Sequence, residues 1–212
     1  HVRRASERLI FFPSIDPAEA DYMAELERCH QELGGKGVKL GPIYQGVHPL
    51  DPRCYEIYRY CERHGLPIIT HMATTFSSGV PLDYARPMHM DQVACDFPEL
   101  RIVLAHLGHP WEGEAIAAIR KQPNLYADLS ALYYRPWQFY NMMITAQEYK
   151  VTHKLLFGTD YPFTTVDATI SGLRSLNRMV DGTGFPRLNP DAIEAMMAAI
   201  DAWSPLDVLV NN

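Results

Sequence analysis

The sequence predicts a parallel α/β protein of the TIM-like (β/α) barrel type, on three observations. Short apolar runs alternate with longer helical patterns, most of those runs are apolar on both faces, and residues able to do chemistry stand at or just past the ends of five of them. The runs cover residues 9–13, 37–41, 66–72, 100–107, 125–129 and 154–158. Strand followed by helix, repeated six times, implies right-handed crossovers and a parallel sheet. An open doubly wound sheet usually carries a glycine-rich phosphate turn after a strand, and no GxGxxG or Walker-type segment occurs here. A barrel instead delivers polar groups from the C-terminal ends of several strands. Lys39, His71, His106, Ser130 and Asp160 fit that pattern, at intervals of 32, 35, 24 and 30 residues, one βα unit apiece.

The helices carry their own punctuation. Asp16-Pro17 and Asp51-Pro52 each place a capping side chain before a proline suited to the first helical position. In the second helix Cys54, Ile57, Tyr58 and Cys61 fall at i, i+3, i+4 and i+7, one buried stripe, and His64-Gly65 closes it. Gly34-Gly35 ends the first helix in the same way. Further helices are expected over residues 88–96, 111–121, 136–149, 166–181 and 190–203. Six strands fall short of eight. The chain therefore reads as one N-terminally incomplete barrel domain, residues 1–212, with one or two βα units expected upstream of residue 1 or the gap filled by a partner chain.

Composition narrows the function. The 212 residues are 47% hydrophobic, enough for one sizeable core. With 25 acidic against 19 basic residues, a net charge of −6 and no basic run, there is no electrostatic footprint for nucleic acid. No apolar stretch approaches the roughly 18–20 residues of a membrane span, and residues 1–6 are too charged for a secretory signal. Four cysteines (Cys29, Cys54, Cys61 and Cys95) form no CxxC pair, which favours a reduced, cytoplasmic protein. A small-molecule substrate and a homodimer or higher homo-oligomer are expected.

Two strand-end histidines, His71 and His106, and a strand-end aspartate, Asp160, bring together neutral imidazole and carboxylate, a donor set suited to zinc or a similar divalent ion. Ligands on separate barrel strands converge on the axis, so sequence distance is no obstacle. Lys39 offers a cation for a substrate carboxylate or phenolate, or an ion pair with a neighbouring strand-end acid. His109, three residues after His106, and Trp111 are further substrate-contact candidates, as are Arg86 on the long loop 73–87 and His89 just beyond it. Asp128 and Ser130 alternate on one strand and point the same way, placing one of them behind the site. Phe76, Trp111, Tyr133, Tyr134 and Trp137 cluster past strand ends as an aromatic wall. His30, His48, His64 and His153 are assigned to the framework.

The segments GVKL (37–40), ITH (69–71), AHLGHPW (105–111), NLYADLSAL (124–132) and LLFGTDYP (155–162) resemble the amidohydrolase-related barrel enzymes, the group that includes aminocarboxymuconate-semialdehyde decarboxylase. The resemblance runs along nearly the whole chain. It implies a metal-dependent hydrolase or non-oxidative decarboxylase of small carboxylated or cyclic substrates, working through a metal-bound water. His71 would be a metal ligand, His106 a metal neighbour and general acid/base, and Asp160 a ligand and proton carrier. One divalent ion is the implied cofactor, zinc first and manganese second. The family's HxH pair is missing from this sequence, which leaves at most three ligands and weak affinity. Two other readings stand beside it: a metal-independent lactonase on the same barrel, with His106, Asp160 and cationic residues polarising the carbonyl, and, supported by that departure, a degenerate barrel that binds a ligand without chemistry.

Overall fold

A computed structural model describes residues 9–195 and 209–210. In chain order the elements are β1 (Ile10–Phe11), α1 (Tyr22–Gln31), β2 (Val38–Leu40), the short α2 (Pro42–Gln45) and α3 (Pro52–His64). Then come β3 (Ile68–Thr70), α4 (Met88–Asp96), β4 (Ile102–Leu104), α5 (Glu112–Lys121) and β5 (Leu125–Asp128). The last are α6 (Pro136–Glu148), β6 (Leu155–Leu156), α7 (Val166–Ser175) and β7 (Leu209–Val210).

Strands β2 to β6 form one parallel sheet in chain order. β1 makes its ladder with β7. The chain beyond β1 nevertheless runs along β2: Lys39 N–H donates to Pro13 O at 2.9 Å and Ile15 N–H to Lys39 O at 3.3 Å, with a parallel bridge between Ser14 and Lys39. The expected six-stranded arc is thus five strands in one sheet, continued through a single bridge by the segment that follows β1. This is a partial (β/α) barrel.

Alternation sorts the strand residues into two cores. Val38, Leu40, Ile68, Ile102, Leu104, Leu125, Ala127 and Leu155 join the helix residues Leu26, Ile57, Val93, Ile116 and Met142 in the outer core. Ile69, Val103 and Ala105, with Phe12, Tyr126 and Leu156, form a second cluster on the inner face. Both faces are buried, which is why the runs look uniformly apolar.

The caps act where local chemistry specifies them. Asp51 accepts from Arg53 N–H at 2.9 Å with Pro52 behind it, and α3 ends on Gly65 at φ 65°. Cys54, Ile57, Tyr58 and Cys61 are all buried. Asp16-Pro17 behaves differently: the Asp16 carboxylate accepts from Ala18 N–H at 2.9 Å and closes a turn, and α1 begins only at Tyr22. The helix expected over 166–181 tightens after Ser175 into a 3-10 turn, Leu176–Val180. Residues 190–195 are helical, and the rest of the helix expected over 190–203 lies outside the described residues.

Candidate active site

Strand register decides what faces the interior. Lys39, Ile69, Val103 and Tyr126 are successive partners across β2 to β5, so they form one inward row. His71, two residues beyond Ile69, and Asp128, two beyond Tyr126, belong to the next row towards the C-terminal rim. Lys39 therefore stands inside the strand rather than at its end, and is buried. Its stem shares a level with apolar side chains while its ammonium is within electrostatic reach of Asp128 and Asp160. Burial lowers its pKa, and the two carboxylates oppose that shift.

The strand ends are backbone-strained. Four of the five non-glycine residues with positive φ among the described residues lie just past strands: His106 (58°) and Leu107 (47°) after β4, Ala131 (57°) after β5, and Asp160 (63°) after β6. Left-handed backbone at such residues costs of order 1 kcal/mol or more each and clusters at functional sites. After β4 the turn continues through Gly108 at φ 71°, where an added Cβ would meet Pro87 Cγ at 2.7 Å and Ala115 Cβ at 2.8 Å. Asp128 Oδ1 secures the turn by accepting from His106 N–H at 3.0 Å.

These turns bring the histidines together. The His71 and His106 rings meet edge to face with centroids 5.0 Å apart. His106 Nδ1 lies 2.8 Å from Ser130 Oγ, which in turn lies 2.5 Å from Asp128 Oδ1. Burial, then the neighbouring His106 and Lys39, push the His71 pKa down to about 3, which keeps the ring a neutral nitrogen donor. Two neighbouring imidazoles, one of them held neutral, fit a borderline divalent ion. Among the described residues, however, the one trio whose ligand atoms all lie within 4.8 Å of one another is His48, Asp83 and His89.

That trio could hold an ion only by surrendering protons. His48 Nδ1 accepts from Leu50 N–H at 3.1 Å, so its Nε2 carries the proton that faces Asp83 Oδ2 at 3.4 Å. His89 Nε2 lies 2.9 Å from the Asp83 carbonyl oxygen and 3.2 Å from Oδ2, both acceptors. The three side chains tie the loop after α2 to the 3-10 turn Leu82–Ala85 and the first turn of α4.

The other candidates have definite places. Arg86 pairs with Glu114 of α5, with Nε 3.2 Å from Oε2, and lies 5.8 Å over the Trp111 ring; its cation is matched by a carboxylate outside the histidine pair. His109 is buried, its Nδ1 has no hydrogen-bond partner, and burial, then Arg135 and His106, lower its pKa. Two neighbours escaped the sequence reading. Tyr44 lies 4.8 Å from the His71 ring, centroid to centroid, with its hydroxyl 3.4 Å from Nε2. Arg135, held by a 3.0 Å bond to Ala131 O and stacked 4.4 Å over Tyr134, projects its charge on His109. Tyr44 sits three residues past Gly41 at the end of a run, the signal that could have found it. Of the aromatic wall, Phe76, Tyr134 and Trp137 are exposed.

The sequence model of the amidohydrolase family matches residues 1–198. The chain belongs to the amidohydrolase family. Among solved structures, this amidohydrolase is similar to an uncharacterised TIM-barrel protein from Bordetella bronchiseptica, at 28% identity and TM-score 0.68 over 90% of this chain and 66% of that one. It also resembles a 5-carboxyvanillate decarboxylase from Novosphingobium aromaticivorans with bound manganese (16% identity, TM-score 0.61, 91% and 63% covered). A third is a probable 2-pyrone-4,6-dicarboxylic acid hydrolase from Acinetobacter baumannii with citric acid bound (17%, 0.58, 82% and 68%). The last two likenesses are of fold. The amidohydrolase chain spans about two thirds of the length of these proteins or less. No curated protein matches it. Among the described residues no helix is long and apolar enough to cross a membrane.

Proposed function

We propose that this chain carries the strand-end machinery of a hydrolase or non-oxidative decarboxylase for small carboxylated or cyclic substrates. The observation that carries the reading is the convergence of His71, His106 and the Asp128–Ser130 pair beside a buried lysine, at the strand ends where the family keeps its chemistry. His71 and Asp160 would hold one divalent ion beside His106, and the ion would supply Lewis acidity when bound. The chain's own groups do the rest. His106 takes or gives a proton at the reacting carbon or oxygen, and Asp160 passes it on. Lys39 meets a substrate carboxylate from below, and His109 and Trp111 contact the substrate's far side. Arg86 enters this reading only if Glu114 releases it. The decarboxylase and the probable hydrolase among the similar folds are named for a carboxylated aromatic and a pyrone dicarboxylic acid, which is the substrate class to test first.

A metal-independent lactonase is the second reading, favoured by one observation: a buried ammonium beside His71 opposes a cation there and could itself polarise a carbonyl. The experiment is turnover of hydroxybenzoates and pyrone carboxylates, with manganese and after chelation. Loss of turnover by at least about 100-fold in His106→Ala is expected; wild-type turnover in that variant overturns the proposal. Full activity after chelation selects the lactonase.

A further inference from the structure

We propose that Ser130 and Asp128 are positioning residues that hold the His106 ring in one tautomer, with the proton on Nδ1 and the lone pair on Nε2. The inference deepens, and rests on, the acid/base role proposed for His106. It follows from tracing each proton. His106 Nδ1 lies 3.1 Å from the Ser130 carbonyl oxygen and 2.8 Å from Ser130 Oγ. A carbonyl oxygen only accepts, so that contact needs a proton on Nδ1.

The hydroxyl by itself could point either way, but its single proton is committed elsewhere. Ser130 Oγ lies 2.5 Å from Asp128 Oδ1. The same oxygen accepts the backbone N–H of His106 and of Ser130, each at 3.0 Å. An oxygen gathering two N–H donors has no proton to offer a third group. Ser130 Oγ–H therefore donates to Asp128, and Oγ accepts from His106 Nδ1–H. In the neutral ring Nε2 is then bare.

One carboxylate oxygen thus fixes both halves of His106: the left-handed backbone directly, and the ring through Ser130. The packing keeps Ser130 in place. Gly158, after β6, leaves room for it, and a Cβ there would come within 3.0 Å of Ser130 Cβ and 3.7 Å of Asp128 Cβ. The same tracing at His48 gives the opposite tautomer, with Nε2 protonated, so the outcome at His106 is a property of its partners. The consequence is chemical: Nε2 of His106 is the nitrogen that receives a substrate proton or faces an ion.

The test is long-range 1H–15N correlation NMR of the histidine rings in the labelled protein at pH 8, with His106 assigned through His106→Gln. The wild type is expected to show His106 protonated on Nδ1 only. Ser130→Ala leaves one acceptor, so the tautomer ratio should fall about fivefold and an Nε2-protonated signal should emerge. Ser130→Thr keeps the hydroxyl and should restore the wild-type spectrum. A wild-type ring protonated on Nε2 overturns the proposal, and so does a folded Ser130→Ala protein with an unchanged ratio. If Ser130→Ala does not fold, the wild-type spectrum decides. The acid/base role is judged separately, by turnover of His106→Ala, so either claim can fall alone.

Discussion

His71 and His106, 35 residues apart in the chain, meet edge to face at 5.0 Å between ring centroids. Neighbouring strands β3 and β4 deliver them, and the left-handed turn after β4 swings His106 back over the strand ends. Under the proposed function these two neighbouring rings serve one substrate. The losses of turnover in His71→Asn and His106→Asn are therefore expected to be non-additive, with the double variant no worse than about threefold below the weaker single variant. Steady-state kinetics of the three proteins checks this; losses that multiply would separate the two residues.

Buried thiols give a pH dependence with a definite sign. Burial pushes Cys54 and Cys61 up to about 12, and Cys29 is raised to about 11 by burial and by Glu25. A group whose folded pKa is raised holds its proton longer in the native state than in the unfolded chain. Its stabilising contribution is full below the ordinary thiol value and is lost as pH rises from about 9 towards 12. Each such thiol contributes a slope of up to about 1.4 kcal/mol per pH unit. Urea midpoints should fall between pH 9 and 10.5, and Cys61→Ala should flatten the fall. A midpoint constant over that range would refute it.

The same burial governs reactivity. Cys95 is exposed, while Cys29, Cys54 and Cys61 are buried. A thiol reagent at pH 7.5 is expected to label Cys95 alone in the native protein and all four after denaturation. Mass spectrometry of the labelled peptides reads the result.

At the opposite end of the strands, Lys154 closes helix α5. Its Nζ donates to Ile119 O at 2.7 Å and to Gln122 O at 2.5 Å, and lies 5.4 Å from the Tyr126 ring centroid. Lys154→Met leaves two carbonyls without that donor and should lower stability by about 1–3 kcal/mol. Because the bonds of Lys154 run to the C-terminal end of α5 and not to the histidine pair, turnover at low temperature should be unchanged.

Gly108 is required twice over, for its φ of 71° and because Pro87 and Ala115 leave no room for a Cβ. Gly108→Ala should cost about 2 kcal/mol or more, and it should disturb the turn that carries His106. A thermal melt within a degree of wild type would count against this account of the turn.

What the residues specify locally was legible without coordinates. Doubly buried strands appear as continuous apolar runs, α3 appears through its stripe, its Asp51 cap and its Gly65 stop, and His71, His106 and Asp160 appear at run ends. Each is a short-range signal, set by side-chain period, capping hydrogen bonds or the freedom of glycine. Even there, Asp16 closed a turn on Ala18 instead of starting a helix, because the same carboxylate satisfies either.

Direction and partnership came only with the tertiary structure. Lys39 belongs to the inward row because strand register aligns it with Ile69 and Val103, a relation between residues 30 and more apart. Arg86 is matched by Glu114 and Arg135 projects its charge on His109, neither of which any local pattern encodes; Tyr44 stands near a run end in the sequence, but its contact with His71 is made only by the fold. The sequence by itself determined that His71, His106 and Asp160 follow strands, since alternation and capping act within a few residues, while the inward place of Lys39 inside β2 came from register. Which nitrogen of His106 is bare was decided by Asp128 and Ser130 across the β4–β5 pair, because a proton's place depends on groups that only folding brings within 3 Å.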